Sequence, residues 1–303
     1  MFNKFIAGVL PYMPKKLIWV FSKRYIAGVT LEDGLNASIE LNNNKIVVTV
    51  DFLGEFIMTL EEAEENRNKY LKIIDRFTEE NITGNFSIKP TMFGLLINKE
   101  SCFTYIREIV QRAAEKNTFV KIDMEDSQCV DDELDIFRRL KIEFPANVGL
   151  VVQAYLRRTL SDLESLADLN SSEHPINFRL CKGIYIEPEN IAFKKCAEIR
   201  EHFLIDLEYM LQNIMYVGIA THDKYLVEES YKLIEKYEVP KGMYEFQMLF
   251  GVTPDLRQSI IDKDHLMRVY VPFGKDWFGY STRRLKENPK MASHIIKALF
   301  VRG

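Results

Sequence analysis

The chain has 303 residues, with 40 Lys+Arg against 44 Asp+Glu, 47% hydrophobic and 12% aromatic residues. That composition supports a large buried core and excludes low-complexity disorder and fibrous repeats. The net charge of −4 excludes a bulk nucleic-acid binder, which carries a basic excess.

The first 45 residues mix apolar clusters with Lys4, Lys15, Lys16, Lys23 and Arg24, and Gly and Pro interrupt them. Short helices are expected, forming a basic amphipathic arm. Such an arm either covers the core or touches anionic lipid, and covering the core is the plainer reading. Phe5–Met13 has the length of a secretory apolar region, but Pro14, Lys15 and Lys16 follow it without a small-residue cleavage pattern, so no signal peptide is read. No apolar run approaches the ~18 residues of a membrane-spanning helix. Cys102, Cys129, Cys181 and Cys196 are scattered, with no CxxC and no Cys/His pair at zinc spacing. They read as reduced thiols of a cytoplasmic protein.

From residue 46 a rhythm sets in. Short β-branched or aromatic runs occur at Lys45–Phe52, Phe86–Pro90, Thr118–Met124, Val148–Tyr155, Ile176–Lys182, Met215–Thr221, Met243–Leu249 and Arg268–Phe273. The segments between them have helical period, as in Glu61–Glu79, where Leu71, Ile74 and Phe77 fall on one stripe, and in Cys102–Glu115 and Lys224–Tyr237. The runs recur every 32 residues or so, about the length of one βα unit of a parallel sheet. Several are apolar at nearly every position, which suits strands buried on both faces. The spacing therefore predicts an α/β fold, a (β/α)8 TIM-type barrel over 46–303 with an N-terminal helical arm over 1–45. A doubly wound open sheet is the alternative. Neither G-x-G-x-x-G nor a P-loop is present, so a dinucleotide would be held another way.

In a barrel the chemistry sits at the carboxyl ends of the strands. The polar residues there are Asp51 and Glu55; Lys89; Asp123, Glu125 and Asp126; Gln153 and Arg157; Arg179, Lys182 and Tyr185; Thr221, His222 and Asp223; Gln247; and Tyr270. Each alone reads most simply as a solvated or ion-paired strand end; together they describe a polar mouth of mixed sign. The carboxylates from Asp123 to Asp126 are suited either to a divalent metal or to ion pairing, and with no His nearby ion pairing is preferred. Arg283 and Arg284 follow the last strand and can clamp a carboxylate or phosphate, although composition alone reads them as surface arginines. A lone His222 after a strand is usually structural; a contact to a cofactor phosphate or ring is the other option. No Ser-His-Asp order or nucleophile elbow is visible.

Taken together, the strand ends resemble the proline dehydrogenase family over roughly residues 20–290. The stretches that carry the resemblance are Arg24-Tyr-Ile-Ala-Gly, Asp51-Phe-Leu-Gly-Glu55, Ser87-Ile-Lys89-Pro-Thr, Lys121-Ile-Asp123-Met-Glu-Asp126, Val152-Gln153-Ala-Tyr155, Arg179-Leu-Cys181-Lys182-Gly-Ile-Tyr185, Ala220-Thr-His222-Asp, Glu245-Phe-Gln247-Met-Leu249, Tyr270-Val-Pro-Phe-Gly274 and Tyr280-Ser-Thr-Arg283-Arg284-Leu-Lys-Glu287. The resemblance implies a monofunctional flavoenzyme with a distorted barrel. It would bind FAD and oxidise L-proline to Δ1-pyrroline-5-carboxylate by hydride transfer from C5 to flavin N5. A quinone would accept the electrons, and the protein would be cytoplasmic with a peripheral contact at the inner face of the cell membrane. By the same resemblance, Arg283, Arg284 and Lys89 hold the proline carboxylate, Glu55 ion-pairs with the arginines, and Asp123 orders that end of the site. Tyr270, Tyr280, Tyr185 and Leu249 wall the ring. Arg179 and Gln153 approach the flavin ring, and Cys181, Lys182, Thr221, His222 and Glu287 belong to the rest of the cofactor site, with no metal.

These roles suit the substrate. Proline is a zwitterion with one apolar ring: its carboxylate needs a dry cationic clamp and its ring an apolar wall. The chain departs from the family pattern at Ile184 and Ile186, where a small residue and an aromatic are usual; Ile184 would narrow the pocket and Ile186 would remove a cofactor neighbour. Two other classes remain open on the residues alone, a barrel lyase using Lys89 as a Schiff base and a membrane-surface binding protein built on the basic arm.

Overall fold

The computed structural model describes residues 18–19, 22–54 and 57–281. Each of the eight runs forms a strand: β1 Val47–Phe52, β2 Gly84–Ile88, β3 Val120–Ile122, β4 Val148–Gln153, β5 Asn177–Cys181, β6 Tyr216–Ala220, β7 Tyr244–Leu249 and β8 Met267–Phe273. Neighbouring strands are parallel and follow sequence order. β1 pairs with β2 on one side and β8 on the other, Thr49 standing opposite both Asn85 and Tyr270, which closes the barrel. The helices are α1 Leu31–Asn43, α2 Leu60–Glu79, α3 Lys99–Glu115, α4 Val130–Glu143, α5 Thr159–Leu166, α6 Cys196–Gln212, α7 Lys224–Lys236 and α8 Pro254–Asp262. The fold is the (β/α)8 barrel.

Helices α2 to α8 are the crossovers, whereas α1 precedes β1 and packs on both β1 and β8. Its approach requires Gly34, because a Cβ there would lie 2.8 Å from the Phe273 ring. Thr30 and Asp33 form a capping box that starts α1, and Thr59 with Glu62 does the same for α2. In α2 the buried residues are Ala63, Asn66, Tyr70, Ile73, Ile74 and Phe77, one stripe at helical spacing. Leu71, expected on that stripe, lies at its edge and is only partly buried.

Strand side chains alternate between two environments. Val48, Val50, Ile88, Ile122, Leu150, Phe178, Ile219 and Val269 join Phe77, Ile109, Phe137 and Phe203 of the helices in one apolar core, so that core lies between barrel and helices. The alternate residues face one another inside the barrel, and many are polar: Thr49 donates to Asn85 at 2.5 Å, Lys121 to the Asn177 carbonyl at 2.8 Å, and Arg268 to Glu245 at 2.6 Å. The strands are buried on both faces as expected, but the inner face carries hydrogen-bonded polar side chains beside a few small or apolar ones such as Gly218 and Val151. Burial and the nearby Arg179 push the Lys121 ammonium well below its ordinary value.

On the inner side of α6, Asp206 is fully buried and its Oδ2 has no hydrogen-bond partner among the described residues. Burial pushes its carboxyl up to about 7. A carboxyl raised on folding favours the folded state less as pH climbs from its unfolded value towards 7. Asp206→Asn should therefore match the parent near pH 4 and exceed it at pH 8 by a few kcal/mol in urea unfolding. A difference independent of pH would show that the carboxyl is not held neutral.

Candidate active site

The carboxyl ends of the strands surround a cleft of about 730 Å³, within the roughly 300–1,000 Å³ usual for small-molecule and cofactor sites. Of the site residues expected from the sequence, Lys89, Asp123, Gln153, Arg179, Cys181, Lys182, Tyr185, Thr221, His222, Leu249, Tyr270 and Tyr280 line it. Glu55, Arg283, Arg284 and Glu287 lie outside the described residues.

At its base is a compact charge array. Lys89, just past β2, donates to Asp51 at 2.9 Å and to the Tyr270 hydroxyl at 3.2 Å, and it pairs with Asp123 at 3.3 Å. Arg179 of β5 donates to the other oxygen of Asp123 at 2.8 Å, to Ser87 at 3.1 Å and to Gln247 at 2.7 Å. Ser87 and Tyr270 also donate to Asp123, the latter at 2.9 Å. Burial alone would raise the Asp123 carboxyl, yet Lys89, Arg179 and these hydroxyls bring it below its ordinary value. Burial, with Asp123 and Asp51 beside it, pushes the Tyr270 hydroxyl well above its ordinary value, so it stays a neutral donor. The Arg179 guanidinium also lies 5.1 Å from the Tyr270 ring centre. Lys89 is engaged by two carboxylates, a poor state for the free amine that a Schiff-base lyase needs.

Helix α2 supports this array from behind. The Tyr70 hydroxyl donates to the Ser87 carbonyl at 2.7 Å and accepts from the Phe52 N–H at 3.2 Å, tying β1 to β2 under Asp51 and Ser87. Asp51, Ser87 and Gln247 are central to the geometry, although the family resemblance gave them no role. The signal was present: in a barrel residues i and i+2 share the inner face, so Ser87 stands on the face of Lys89, and Gln247 on that of Leu249.

The carboxylates after β3 divide. Asp123 ion-pairs as expected, whereas Glu125 accepts from the Thr91 N–H at 2.9 Å and hydroxyl at 2.6 Å, which joins the β2 and β3 ends. The Glu125 N–H donates to Glu133 at 3.0 Å, and the Gln153 amide donates to the Glu125 carbonyl at 2.7 Å. Burial and the neighbouring Glu125 push the Glu133 carboxyl well above its ordinary value.

On the other wall, Lys182 pairs with Asp223 at 2.6 Å, and Arg200 holds the same carboxylate at 2.8 Å. Burial would raise Asp223, but Arg200 and Lys182 bring it down to about 2. Asp223 caps α7, and Thr221 accepts its N–H at 3.1 Å. His222 accepts the Leu249 N–H through Nε2 at 2.9 Å, so that nitrogen serves the β6–β7 join. Gly183 (φ +99°) allows the chain to turn over the Tyr155 ring, where a Cβ would lie 2.1 Å from a ring carbon. Ile184 lines the cleft beyond this turn, while Ile186 is 99% exposed.

A polar cleft of mixed sign at the carboxyl end of a parallel barrel defines the class, a (β/α)8-barrel enzyme with its chemistry at the mouth. The family model of proline dehydrogenase matches residues 35–297. Proline dehydrogenase 1 of Bacillus subtilis (strain 168) is 34% identical over 280 residues, covering 92% of this chain and 90% of that protein. The proline dehydrogenase of Deinococcus radiodurans is 31% identical over 291 residues, covering 95% and 92%. The solved structure of proline utilization A (PutA) from Bdellovibrio bacteriovorus, inactivated by N-propargylglycine, superposes with a TM-score of 0.86 at 26% identity over 94% of this chain; the chain spans 36% of that protein. The chain belongs to the proline dehydrogenase family. Proline dehydrogenase activity, the first step of proline catabolism, comes with that membership. Among the described residues no helix is long and apolar enough to cross a membrane.

The raised Glu133 carboxyl predicts that Glu133→Gln keeps or raises folding stability at pH 7, because the amide removes the cost of burying or protonating that acid. Glu133→Ala should lose about 2 kcal/mol or more, leaving the Glu125 N–H unpaired beside a cavity. Chemical denaturation compares the two; equal losses would contradict the assignment.

Proposed function

We propose that the chain oxidises L-proline to Δ1-pyrroline-5-carboxylate with FAD as cofactor. Supporting this is the array of Lys89, Asp123 and Arg179 at the base of the cleft. Among the described residues it pairs two carboxylates, Asp51 and Asp123, with two cations, Lys89 and Arg179. A zwitterion adds one charge of each sign to such a balanced array, which suits proline. Lys89 takes the substrate carboxylate, and Tyr185, Leu249, Tyr270 and Tyr280 enclose the ring and exclude water. Arg283 and Arg284, outside the described residues, complete the carboxylate clamp with Glu55 as the family resemblance implies.

The residues present also suit a flavin. Arg179 lines the cleft, and its Nη2 is buried without a hydrogen-bond partner among the described residues, a donor suited to an acceptor atom of a bound group. Gln153 and Cys181 flank it on β4 and β5, while Lys182, Thr221 and His222 stand near the N-terminus of α7, which favours a phosphate. When bound, FAD supplies the acceptor for the C5 hydride and passes the electrons to a quinone. Asp123 keeps Arg179 and Lys89 apart and oriented, one on each oxygen, and the Tyr270 hydroxyl holds a proton between Lys89 and Asp123. A peripheral contact with the cell membrane from the cytoplasmic side would bring the site to a quinone.

The purified protein should be yellow, and L-proline should bleach it without oxygen. A colourless protein that takes up no added FAD would contradict the reading. Lys89→Met should still bleach at high proline but with KM raised about tenfold or more, the loss expected for a charge-assisted contact. An unchanged KM would remove Lys89 from the substrate site.

A further inference from the structure

One layer below the array, inside the barrel, lies an ion pair that does not itself line the cleft and reaches it through Gln247. Glu245 of β7 is fully buried, and its Oε1 accepts from Arg268 Nε at 2.6 Å and from Gln247 Nε2 at 2.6 Å. Arg268 is anchored in turn, donating to the Val48 carbonyl at 2.7 Å. Burial works against the charge on Glu245, but Arg268 holds its carboxyl below the ordinary value.

A glutamine amide has a donor end and an acceptor end, and nothing intrinsic decides which points where. An ionised carboxylate can only accept. Glu245 therefore fixes the Gln247 nitrogen downwards, which turns the Gln247 oxygen up to Arg179 Nε at 2.7 Å. With Nε held there and Nη1 on Asp123 and Ser87, the guanidinium plane is set, and Nη2 is the nitrogen without a partner among the described residues. If Gln247 turned over, its NH2 would face the Arg179 N–H, donor against donor.

We infer that Glu245 is a positioning residue: through the polarity of Gln247 it sets the orientation of Arg179 in the cleft. Its effect on catalysis rests on the proposed place of Arg179 beside the flavin. Its effect on Arg179 itself does not.

Glu245→Leu tests this in the full chain, because it removes the acceptor at similar side-chain size. With no oxygen to accept from it, the Gln247 amide loses the contact that fixes its nitrogen downwards. The slowly exchanging Arg179 Nε–H resonance, followed by nitrogen-15 NMR without added flavin, should be lost from its parental position. Glu245→Leu/Arg268→Leu leaves no buried charge without its partner, and it should lose the same resonance, which separates the effect from misfolding. Glu245→Gln is the conservative control: Arg268 and Gln247 share Oε1, so one amide oxygen placed there serves both, and the parental Arg179 resonance should be kept. In the flavin-loaded enzyme kcat should fall roughly 10- to 100-fold in Glu245→Leu with little change in KM, the size usual when a group behind a ligand is lost, and should be rescued in Glu245→Gln. An unshifted Arg179 resonance in Glu245→Leu/Arg268→Leu, or a lost one in Glu245→Gln, overturns the inference. A displaced resonance with unchanged kcat would leave Glu245 positioning Arg179 and overturn instead the place of Arg179 beside the flavin.

Discussion

A carboxylate buried at the base of a cleft stays ionised only with cations in hydrogen-bond reach, and Asp123 has two. Lys89 and Arg179 come from strands far apart in sequence and meet on its two oxygens, with the Ser87 and Tyr270 hydroxyls filling the remaining positions. Asp51 also holds Lys89 and Gln247 also holds Arg179, but Asp123 is the one acid that both cations share. The closing of β8 onto β1 brings Tyr270 beside Lys89, and the β2–β3–β4–β5 order sets the distance across which Arg179 reaches. The shape of the cleft and the direction of its donors thus depend on one shared acid.

The barrel separates two jobs by side-chain alternation. Outward residues make the apolar core with the helices and supply most of the burial that holds the fold. Inward residues form stacked polar layers that would be costly if any partner were missing. Lower down, Lys121 with Asn177 and Arg268 with Glu245 complete each other; above them lies the array around Asp123. Gln247 joins the two layers. The interior therefore continues the site downwards instead of acting as an inert plug.

The fold was legible because period is a strong signal. Eight apolar runs at even spacing gave eight strands, and the stripe in 61–79 gave its helix. What the runs hid was the inner face: single polar residues such as Thr49, Lys121 and Glu245 sit within hydrophobic strings, and their partners lie on other strands. Lys89, Asp123, Arg179 and Tyr270 stood out as charged or hydroxylated strand ends. Asp51 and Gln247 stood there too, but an acid or amide at a strand end shows no partner until the register is known, and Ser87, inside its run, was no strand end at all. Glu125 illustrates the limit. Beside Asp123 it looked like another ion-pairing acid, yet β3 points it at a backbone N–H and a hydroxyl, and no spacing rule shows that.

The central claim is that the Asp123 carboxylate and the Arg179 guanidinium hold one another. A double-mutant cycle in urea unfolding measures this, using Asp123→Asn, Arg179→Met and both together. The account predicts that each single change is costly, because it leaves a buried charge without its partner, and that the pair costs less than the two added by about 2 kcal/mol or more. Additive losses would contradict it.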